Sequence, residues 1–312
     1  MGLRHPRRRL PEPGAGRAGS ARARDPVLSE APGPPALKRL EAQLLSPDGL
    51  RLFRRSWLPP HPTRAVLLVH GYAEHSGRYE EMAGWLAARG AAVYAYDHRG
   101  HGRSAGPRCH VGRFAEYLDD LAAMLEWVRK EQPELPVTLI GHSMGGLITL
   151  AFLAERQPPV ASAVSSAAAL AVDAVSPLRV MLARTVRRVA PRLSIGSGLD
   201  LEGLSRDPDV VRRYLDDPLV HRTMTTSLGA ELLGAAPRTA ARAGQVRVPL
   251  LLLHGEADPL CAVEGSARFH AGVRAPGSAL RTYPELRHEI FNEPERETIW
   301  SDLWSWLEEL AP

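Results

Sequence analysis

One short stretch, Gly141-His142-Ser143-Met144-Gly145-Gly146, has the residue types and spacing for nucleophilic chemistry. It reads G-x-S-x-G, follows the apolar run 137–140 and precedes an apolar helical pattern over 146–153. A sharp turn between a strand and a helix holds its serine in a strained conformation, with the hydroxyl above the sheet edge. Glycines two residues on either side leave room for that turn. The pattern alone is weak, because a glycine-rich turn with an ordinary serine has the same letters.

A serine hydroxyl needs a base that accepts its proton, and the base needs an acid that orients it. Asp258 follows the buried run 250–254, and His288 follows the run 279–283. The order Ser143, Asp258, His288, each at the carboxyl end of a strand, is the order such triads have on a parallel sheet. Taken singly, each residue could be an ordinary loop or surface residue. Taken together, the three predict a catalytic triad.

The tetrahedral intermediate of such a reaction needs two donors for its oxyanion. The first predicted donor is the backbone N–H of Met144, at the start of the helix that follows the serine. The second is expected from the loop His70-Gly71-Tyr72, where the N–H of Tyr72 is the predicted donor. Because both donors are backbone groups, this prediction does not depend on the side chain at position 72.

The remaining histidines are weaker candidates. His70 and His142 flank the site and are expected to shape it, whereas His98 and His101 lie in the polar loop 97–104, where structural hydrogen bonds are the better interpretation. No histidine or cysteine cluster has zinc-like spacing, and no G-x-x-x-x-G-K-[ST] phosphate loop occurs. We therefore expect no metal and no nucleotide cofactor.

Alternating strand and helix patterns position these residues. Two strands are predicted within 41–58, around a Ser-Pro-Asp-Gly turn, and further strands at 65–69, 91–96, 137–141, 160–166, 250–254 and 279–283. Helices are predicted at 79–89, 114–131, 144–155, 262–271 and 294–310, and the last of these is expected to bury Ile299, Trp300, Leu303, Trp304 and Leu307. This alternation predicts a mostly parallel central sheet with helices on both faces.

The alternation is interrupted between about 170 and 238. This insertion follows a strand that leaves the catalytic edge of the sheet, so we expect it to form a helical cap over Ser143. Its helical pattern at 177–189 sets an apolar stripe beside Arg179, Arg184, Arg187 and Arg188. Such a helix is suited to transient contact with an anionic membrane surface. It is equally compatible with a stripe packed on the domain and arginines in solvent.

Charge separates the chain into a tail and a domain. Residues 1–40 hold nine basic and three acidic groups, a net charge of +6, which leaves −2 of the total of +4 for residues 41–312. The tail is rich in Arg, Pro and Gly and lacks apolar periodicity, so it is predicted to be disordered. The domain at 41–312 gives no reason to expect nucleic-acid binding.

Other features of the composition indicate the compartment. No apolar run approaches the roughly 20 residues of a membrane span, and the tail lacks the apolar core of a secretory signal. The two cysteines, Cys109 and Cys261, are far apart and are expected to be reduced thiols. We therefore expect a cytoplasmic protein that associates with membranes only peripherally. The sequence leaves the oligomeric state open.

Several segments together resemble the monoacylglycerol lipases of the α/β-hydrolase superfamily. They are 70–79, 97–104, 141–146, 254–258 and 288–289. The run Glu-His-Ser-Gly-Arg-Tyr at 74–79 is the most specific piece, since many α/β-hydrolases share only the serine turn and the Asp and His positions. The resemblance covers about 41–312 and excludes the tail.

This resemblance implies an α/β-hydrolase fold with a mobile apolar cap and hydrolysis of monoacylglycerol to fatty acid and glycerol through an acyl-enzyme, without a cofactor. It implies the site residues Ser143, Asp258, His288, Tyr72 and Met144 in the roles given above, and a polar end of the pocket at Arg78, His142 and Tyr214. Cys261 would lie near the site and be open to thiol reagents. Tyr72 departs from the family, which often has a small residue there, and leaves the chain-length preference open.

Other activities remain compatible with these residues. A lysophospholipase or a broad short- or medium-chain carboxylesterase would use the same triad, and a ligand-binding α/β-hydrolase with little turnover could retain it. A proline-preferring peptidase shares the fold, but no acidic pair for an amine is evident in the sequence. Dehalogenase chemistry is disfavoured, because it needs a carboxylate nucleophile at position 143.

Overall fold

The computed structural model describes residues 37–171, residue 181 and residues 185–310. The predicted tail lies outside the described residues up to position 36. Of the helix predicted at 177–189, only Met181 and residues 185–189 are described, and they are helical. The first strand begins at Lys38, so residues 38–40, which their composition assigned to the tail, belong to the sheet.

Ten strands lie in the described part of the chain, and eight of them form the central sheet. The strands are β1 (Lys38–Leu45), β2 (Arg51–Leu58), β3 (Arg64–Val69), β4 (Ala91–Tyr96), β5 (Val137–His142), β6 (Ser162–Ser166), β7 (Ser194–Gly196), β8 (Thr223–Thr225), β9 (Leu250–Gly255) and β10 (Ala279–Tyr283). Their order in the sheet is β1-β2-β4-β3-β5-β6-β9-β10, and β7 and β8 form a separate antiparallel pair. The pairs β1–β2 and β2–β4 are antiparallel and the others in the large sheet are parallel, as predicted.

Helices cover both faces of this sheet. The labelled helices are α1 (Glu80–Ala87), α2 (Ala115–Glu131), α3 (Met144–Arg156), α4 (Pro208–Asp216), α5 (Thr226–Ala240), α6 (Val263–Gly272) and α7 (Arg296–Glu309), with short 3₁₀ turns at Ser76–Tyr79, Ala243–Gln245 and Ile290–Asn292. Buried side chains of α2, α3, α5 and α6 form one apolar core with the sheet, and those of α1 and α7 form a second core on the opposite face.

The central strands show why the layers form. In β3, Leu67 and Val69 point into the first core while Val66 and Leu68 point into the second, so the strand is buried on both faces. A continuous apolar run is the sequence signature of such a strand. Because β5, β9 and β10 run parallel in this sheet, their carboxyl ends meet at one edge, where the loops that follow them converge.

Two packing details differ from the sequence prediction. The pattern in the last helix predicted Trp304 in the core, but Trp306 is buried instead, while Trp304 is partly exposed and its indole N–H donates to Glu308. The second detail concerns the stretch 170–238, which was predicted to form a cap. Its last helix, α5, buries Leu228, Ala235 and Ala236 in the first core and so belongs to the layer that covers the sheet.

No helix in the described part of the chain combines the length and the apolar character that crossing a membrane requires.

Candidate active site

Ser143 occupies the sharp turn between β5 and α3. Its backbone has φ 53° and ψ −116°, a conformation that a residue with a side chain rarely adopts. A Cβ at Gly145 would fall on the carbonyl oxygens of Val69 and His70, and one at Gly141 would fall on the carbonyl oxygen of Gly145. Both glycines are therefore required by close backbone approach, as the G-x-S-x-G pattern predicted.

The structure brings Ser143, His288 and Asp258 into one chain of hydrogen bonds. Nε2 of His288 lies 2.9 Å from Oγ of Ser143, and Nδ1 lies 2.7 Å from Oδ2 of Asp258. The other oxygen of Asp258 accepts from the backbone N–H groups of Leu260 and Cys261 at 2.8 and 3.0 Å. With Nδ1–H donating to the carboxylate, Nε2 is free to accept the serine proton.

His254 is a fourth member of this chain that the sequence interpretation missed. Its Nε2 lies 3.2 Å from Oδ2 of Asp258 and 2.8 Å from the carbonyl oxygen of Cys261, while Nδ1 contacts the hydroxyl of Ser266 at 2.8 Å. Burial alone would raise the pKa of Asp258, but hydrogen bonds from His254 and His288 bring that pKa below its usual range. The available signal in the sequence was the position of His254 near the end of the buried strand β9, four residues before Asp258.

The two predicted oxyanion donors border the same space. Met144 is the first residue of α3, where backbone N–H groups have no partner within the helix. Tyr72 lies in the loop after β3, and both residues line the cavity that contains Ser143. No described residue accepts a hydrogen bond from the N–H of either one. Both N–H groups are therefore available to a bound oxygen.

A buried ion cluster forms the polar end of the site. Arg78 donates to Glu74 at 2.8 Å and to both oxygens of Glu289 at 2.6 and 2.7 Å. Its guanidinium also lies 4.9 Å from the ring centre of Tyr214. The carboxylates and Tyr214 line the cavity, but Arg78 does not. Arg78, predicted to contact substrate, thus holds two carboxylates that face the cavity.

Burial affects the two carboxyl groups differently. It raises the pKa of Glu74, an effect that Glu289 reinforces. At Glu289 the paired guanidinium of Arg78 outweighs burial and lowers the pKa. The cluster holds two carboxyl groups and one guanidinium, so its net charge is −1 when both carboxyl groups are ionised and is never more negative than that.

His142 and Tyr214, which the resemblance implied at the polar end of the pocket, both line the cavity. The ring of His142 is 4.9 Å from that of His288, and its Nδ1 lies 3.3 Å from the hydroxyl of Ser166. Burial, reinforced by the charge of His288, lowers the pKa of His142 to about 3. His142 is therefore neutral and can act only as a hydrogen-bonding and packing group at neutral pH.

The cavity has a volume of about 170 Å³. Its apolar wall comes from the core, the cap and the loop after β9, through Ala169, Leu199, Leu204, Met224, Leu232 and Leu260. The polar groups of Glu74, Glu289, His142 and Tyr214 lie on its lining as well. A cavity of mixed character suits a ligand with an apolar part and a polar part.

Cys261 also lines the cavity, near Asp258 as predicted. Burial and the charge of Asp258 raise the pKa of its thiol. The thiolate is the reactive form, so Cys261 is a poor nucleophile in this structure. Among the described residues, no group of three or more His, Cys, Asp or Glu side chains is arranged to hold a metal ion.

Comparison with known proteins places this geometry in a family. A family model described as "Serine aminopeptidase, S33" matches residues 60–295. The chain is 39% identical over 272 residues to the monoacylglycerol lipase of Mycolicibacterium smegmatis, covering 86% of this chain and 97% of that protein. It is 35% identical over 270 residues to the human monoglyceride lipase, covering 85% of this chain and 89% of the relative.

A solved structure agrees with these sequence matches. The monoacylglycerol lipase of Paleococcus ferrophilus superposes with a TM-score of 0.76 at 34% identity, over 83% of this chain and 99% of that one. The architecture derived from the strands and helices is thus the α/β-hydrolase fold, as the sequence predicted. With a serine turn, a mostly parallel sheet and near-complete coverage of these relatives, the chain belongs to the monoacylglycerol lipase family of serine hydrolases, which are carboxylic-ester hydrolases.

Proposed function

We propose that this chain hydrolyses monoacylglycerols to fatty acid and glycerol, with Ser143, His288 and Asp258 as its catalytic triad. The observation that carries the proposal is the unbroken hydrogen-bond chain from Ser143 through His288 to Asp258 beside a cavity with both apolar and polar walls. The names of the relatives support the substrate class.

The reaction follows from the positions of the groups. His288 takes the proton of Ser143 as the serine attacks the acyl carbonyl carbon, and the N–H groups of Tyr72 and Met144 stabilise the oxyanion. His288 then gives the proton to the departing glycerol oxygen, which leaves an acyl-enzyme. Water, activated by His288 in the same way, releases the fatty acid. No metal or cofactor takes part in this sequence.

The polar end of the cavity suits the glycerol part of the substrate. The carboxylates of Glu74 and Glu289 are acceptors for its hydroxyl groups, and the Tyr214 hydroxyl lines the same wall. Arg78 contributes by holding the two carboxylates in place. His142 and Tyr214 are binding residues in this proposal, and Arg78 is a positioning residue.

The proposal is tested by fatty-acid release from monoolein, diolein, lysophosphatidylcholine and p-nitrophenyl butyrate, with the wild type and Ser143→Ala. We expect monoacylglycerol to be hydrolysed best among the glycerides and lipids, and Ser143→Ala to be inactive on every substrate. Preference for lysophosphatidylcholine would favour a lysophospholipase, and hydrolysis of the butyrate ester without hydrolysis of a monoacylglycerol of any chain length would favour a broad carboxylesterase. A folded wild type that fails to react with a fluorophosphonate would indicate a binding protein with little turnover.

The family description makes an aminopeptidase the remaining alternative. The fold does bring an acidic pair, Glu74 and Glu289, to the cavity, which the sequence did not suggest. Both carboxylates are already paired with Arg78, so at most one negative charge remains for a substrate ammonium group. We therefore expect no measurable cleavage of prolyl p-nitroanilide, and cleavage at a rate comparable to that of monoolein would contradict the proposal.

We also infer transient contact of the cap with an anionic membrane surface. Val189, Leu193 and Ile195 are exposed at 83%, 51% and 47%. Arg188 and Arg192 line an adjoining groove of about 720 Å³, in which Arg187 is paired with Glu231. Apolar side chains beside arginines suit the interface of an anionic bilayer.

This inference is tested by co-sedimentation with vesicles of phosphatidylserine and phosphatidylcholine. The double variant Arg188→Gln/Arg192→Gln should bind less than the wild type, and high salt should weaken wild-type binding. The matched control Arg129→Gln/Lys130→Gln removes the same charge from α2, away from the cap, and should bind as the wild type does. Equal binding by both double variants would overturn the inference.

A further inference from the structure

Tyr72 lies where the loop after β3 meets the cap. Tyr72 lines the cavity together with Met224 and Leu232, and its backbone N–H is the proposed second oxyanion donor. All three side chains pack on the first apolar core. Tyr72 is therefore part of the apolar wall and not of the polar end formed by Glu74 and Glu289.

The ring of Tyr72 is held from behind. It meets the ring of His101 edge to face, with centres 6.2 Å apart, and the buried Cys109 thiol lies beside its hydroxyl. His101 is itself fully buried, with Nδ1 3.0 Å from the carbonyl oxygen of Arg99. Rotation of the Tyr72 ring toward the core is consequently blocked by side chains that have no space to move.

The backbone that carries Tyr72 is also fixed. Ala73 has a φ of 66°, in the left-handed region, and its carbonyl oxygen accepts from the N–H of His221 in the cap at 3.0 Å. His75 contacts Asp217 of the cap at 2.8 Å. The hydroxyl of Tyr72 lies near Ser197, and burial raises its pKa, so it stays neutral. The backbone that follows Tyr72 is thus tied to the cap, while the Tyr72 hydroxyl is buried without a hydrogen-bond partner among the described residues.

The path of an acyl chain follows from the positions of the donors. The carbonyl oxygen is bound between the N–H groups of Tyr72 and Met144, and the alcohol part leaves toward His288 and the polar end. The acyl chain must then pass along the apolar wall, beside the Tyr72 ring. The whole cavity is about 170 Å³, below the roughly 300–1,000 Å³ of pockets that enclose drug-sized ligands.

We propose that the Tyr72 ring limits the length of the acyl chain, so that this chain selects monoacylglycerols of short and medium chain length over those of long chain length. The inference rests on the proposed function for the glycerol part, but the limit itself applies to any ester bound at Ser143. Tyr72 is thereby a specificity-determining residue through its side chain, separately from its backbone N–H.

The test compares kcat/KM for p-nitrophenyl butyrate, octanoate and palmitate, and for the matching monoacylglycerols, in four proteins: wild type, Tyr72→Ala, Tyr72→Phe and Met224→Ala. We expect the wild type to prefer butyrate and octanoate. Tyr72→Ala should raise the ratio of palmitate to butyrate about tenfold or more, the order of selectivity that small changes of pocket volume produce. Tyr72→Phe keeps the ring and should keep the wild-type ratio.

Three other outcomes would refute the proposal that the Tyr72 ring limits the length of the acyl chain. An unchanged ratio in Tyr72→Ala, with Ser143 still labelled by a fluorophosphonate, shows that the ring does not restrict the chain. A change in Tyr72→Phe as large as in Tyr72→Ala assigns the effect to the hydroxyl. An equal change in Met224→Ala shows that any enlargement of the cavity suffices.

Failure of the proposed function gives a different result. A wild type that hydrolyses the p-nitrophenyl esters but no monoacylglycerol refutes the proposal that the alcohol part of the substrate is glycerol. The chain-length ratios of the p-nitrophenyl series still decide the role of Tyr72 in that case. The two proposals therefore fail independently.

Discussion

His254 shows how a single residue outside the predicted triad can control it. The residue is fully buried and contacts Asp258, the carbonyl oxygen of Cys261 and the hydroxyl of Ser266. Asp258 in turn orients His288. A carboxylate that loses one of its buried hydrogen bonds becomes easier to protonate and less firmly placed.

Replacing His254 with Ala should therefore lower kcat/KM by about 10- to 100-fold, the equivalent of one hydrogen bond to a charged group. The loss should fall on kcat more than on KM, because His254 acts on the orientation of His288 through Asp258 and does not line the cavity. The control Ser266→Ala changes only the far side of the ring and should cost much less. A kcat that is unchanged in His254→Ala would refute the positioning role.

A second prediction at this scale concerns Arg78, whose guanidinium is shared by two buried carboxylates, Glu74 and Glu289. Arg78→Met leaves Glu74 and Glu289 facing each other without compensation and should cost about 3–5 kcal/mol of unfolding free energy. Glu74→Gln leaves the Arg78–Glu289 pair intact and should be tolerated far better. Thermal unfolding of both variants measures the difference.

The sign of the pH effect separates this explanation from simple loss of packing. The deficit of Arg78→Met against the wild type should shrink between pH 7.5 and pH 5, because protonation of a carboxyl group relieves the repulsion. A deficit that is the same at both pH values would contradict the electrostatic account.

At the scale of elements, the turn between β5 and α3 is fixed by backbone contact. Gly145 lies against the carbonyl oxygens of Val69 and His70 at the end of β3, so the two parallel strands and the helix leave no space for a side chain. Gly84 in α1 is not required by close contact, because a Cβ there would meet nothing within 4 Å.

These two glycines give opposite predictions for the same substitution. Gly145→Ala must displace the turn and should abolish both fluorophosphonate labelling and ester hydrolysis. Gly84→Ala should raise the unfolding free energy by about 0.5–1 kcal/mol, because alanine is the better helix former and no contact opposes it. Chemical denaturation and the labelling reaction test both, and an active Gly145→Ala enzyme would disprove the steric argument.

At the scale of the whole molecule, the fold keeps several histidines buried and neutral. Burial lowers the pKa of His98 and His142 to about 3 and that of His101 to about 4. In the unfolded chain these groups titrate near 6.5. The folded state thus binds fewer protons than the unfolded state between those values.

Stability should therefore be complete above about pH 6.5 and fall as the pH decreases toward 4, with each histidine costing about 2 kcal/mol at pH 5. The measurement is the unfolding free energy at pH 7.5, 6 and 5. His101→Gln should reduce the acid sensitivity, since one titrating group is removed. Equal stability of the wild type at pH 7.5 and 5 would contradict this account.

The sequence by itself determined the features whose causes are local. The order of strands and helices follows from apolar periodicity, and Ser143, Asp258 and His288 were predicted as a triad because each comes shortly after the carboxyl end of a strand. The need for glycine at 141 and 145 could also be predicted from the sequence, since a strained turn at Ser143 needs small residues two positions to either side.

Only the tertiary structure decided features that depend on segments far apart in the chain. The partners of Arg78 come from positions 74 and 289, the Tyr72 ring is held by His101, and α5 returns to the core although it follows the cap. Periodicity also could not choose between Trp304 and Trp306 in α7, because their neighbours decide which one is covered. Side-chain contacts across the sequence carry no local pattern, so packing alone fixes them.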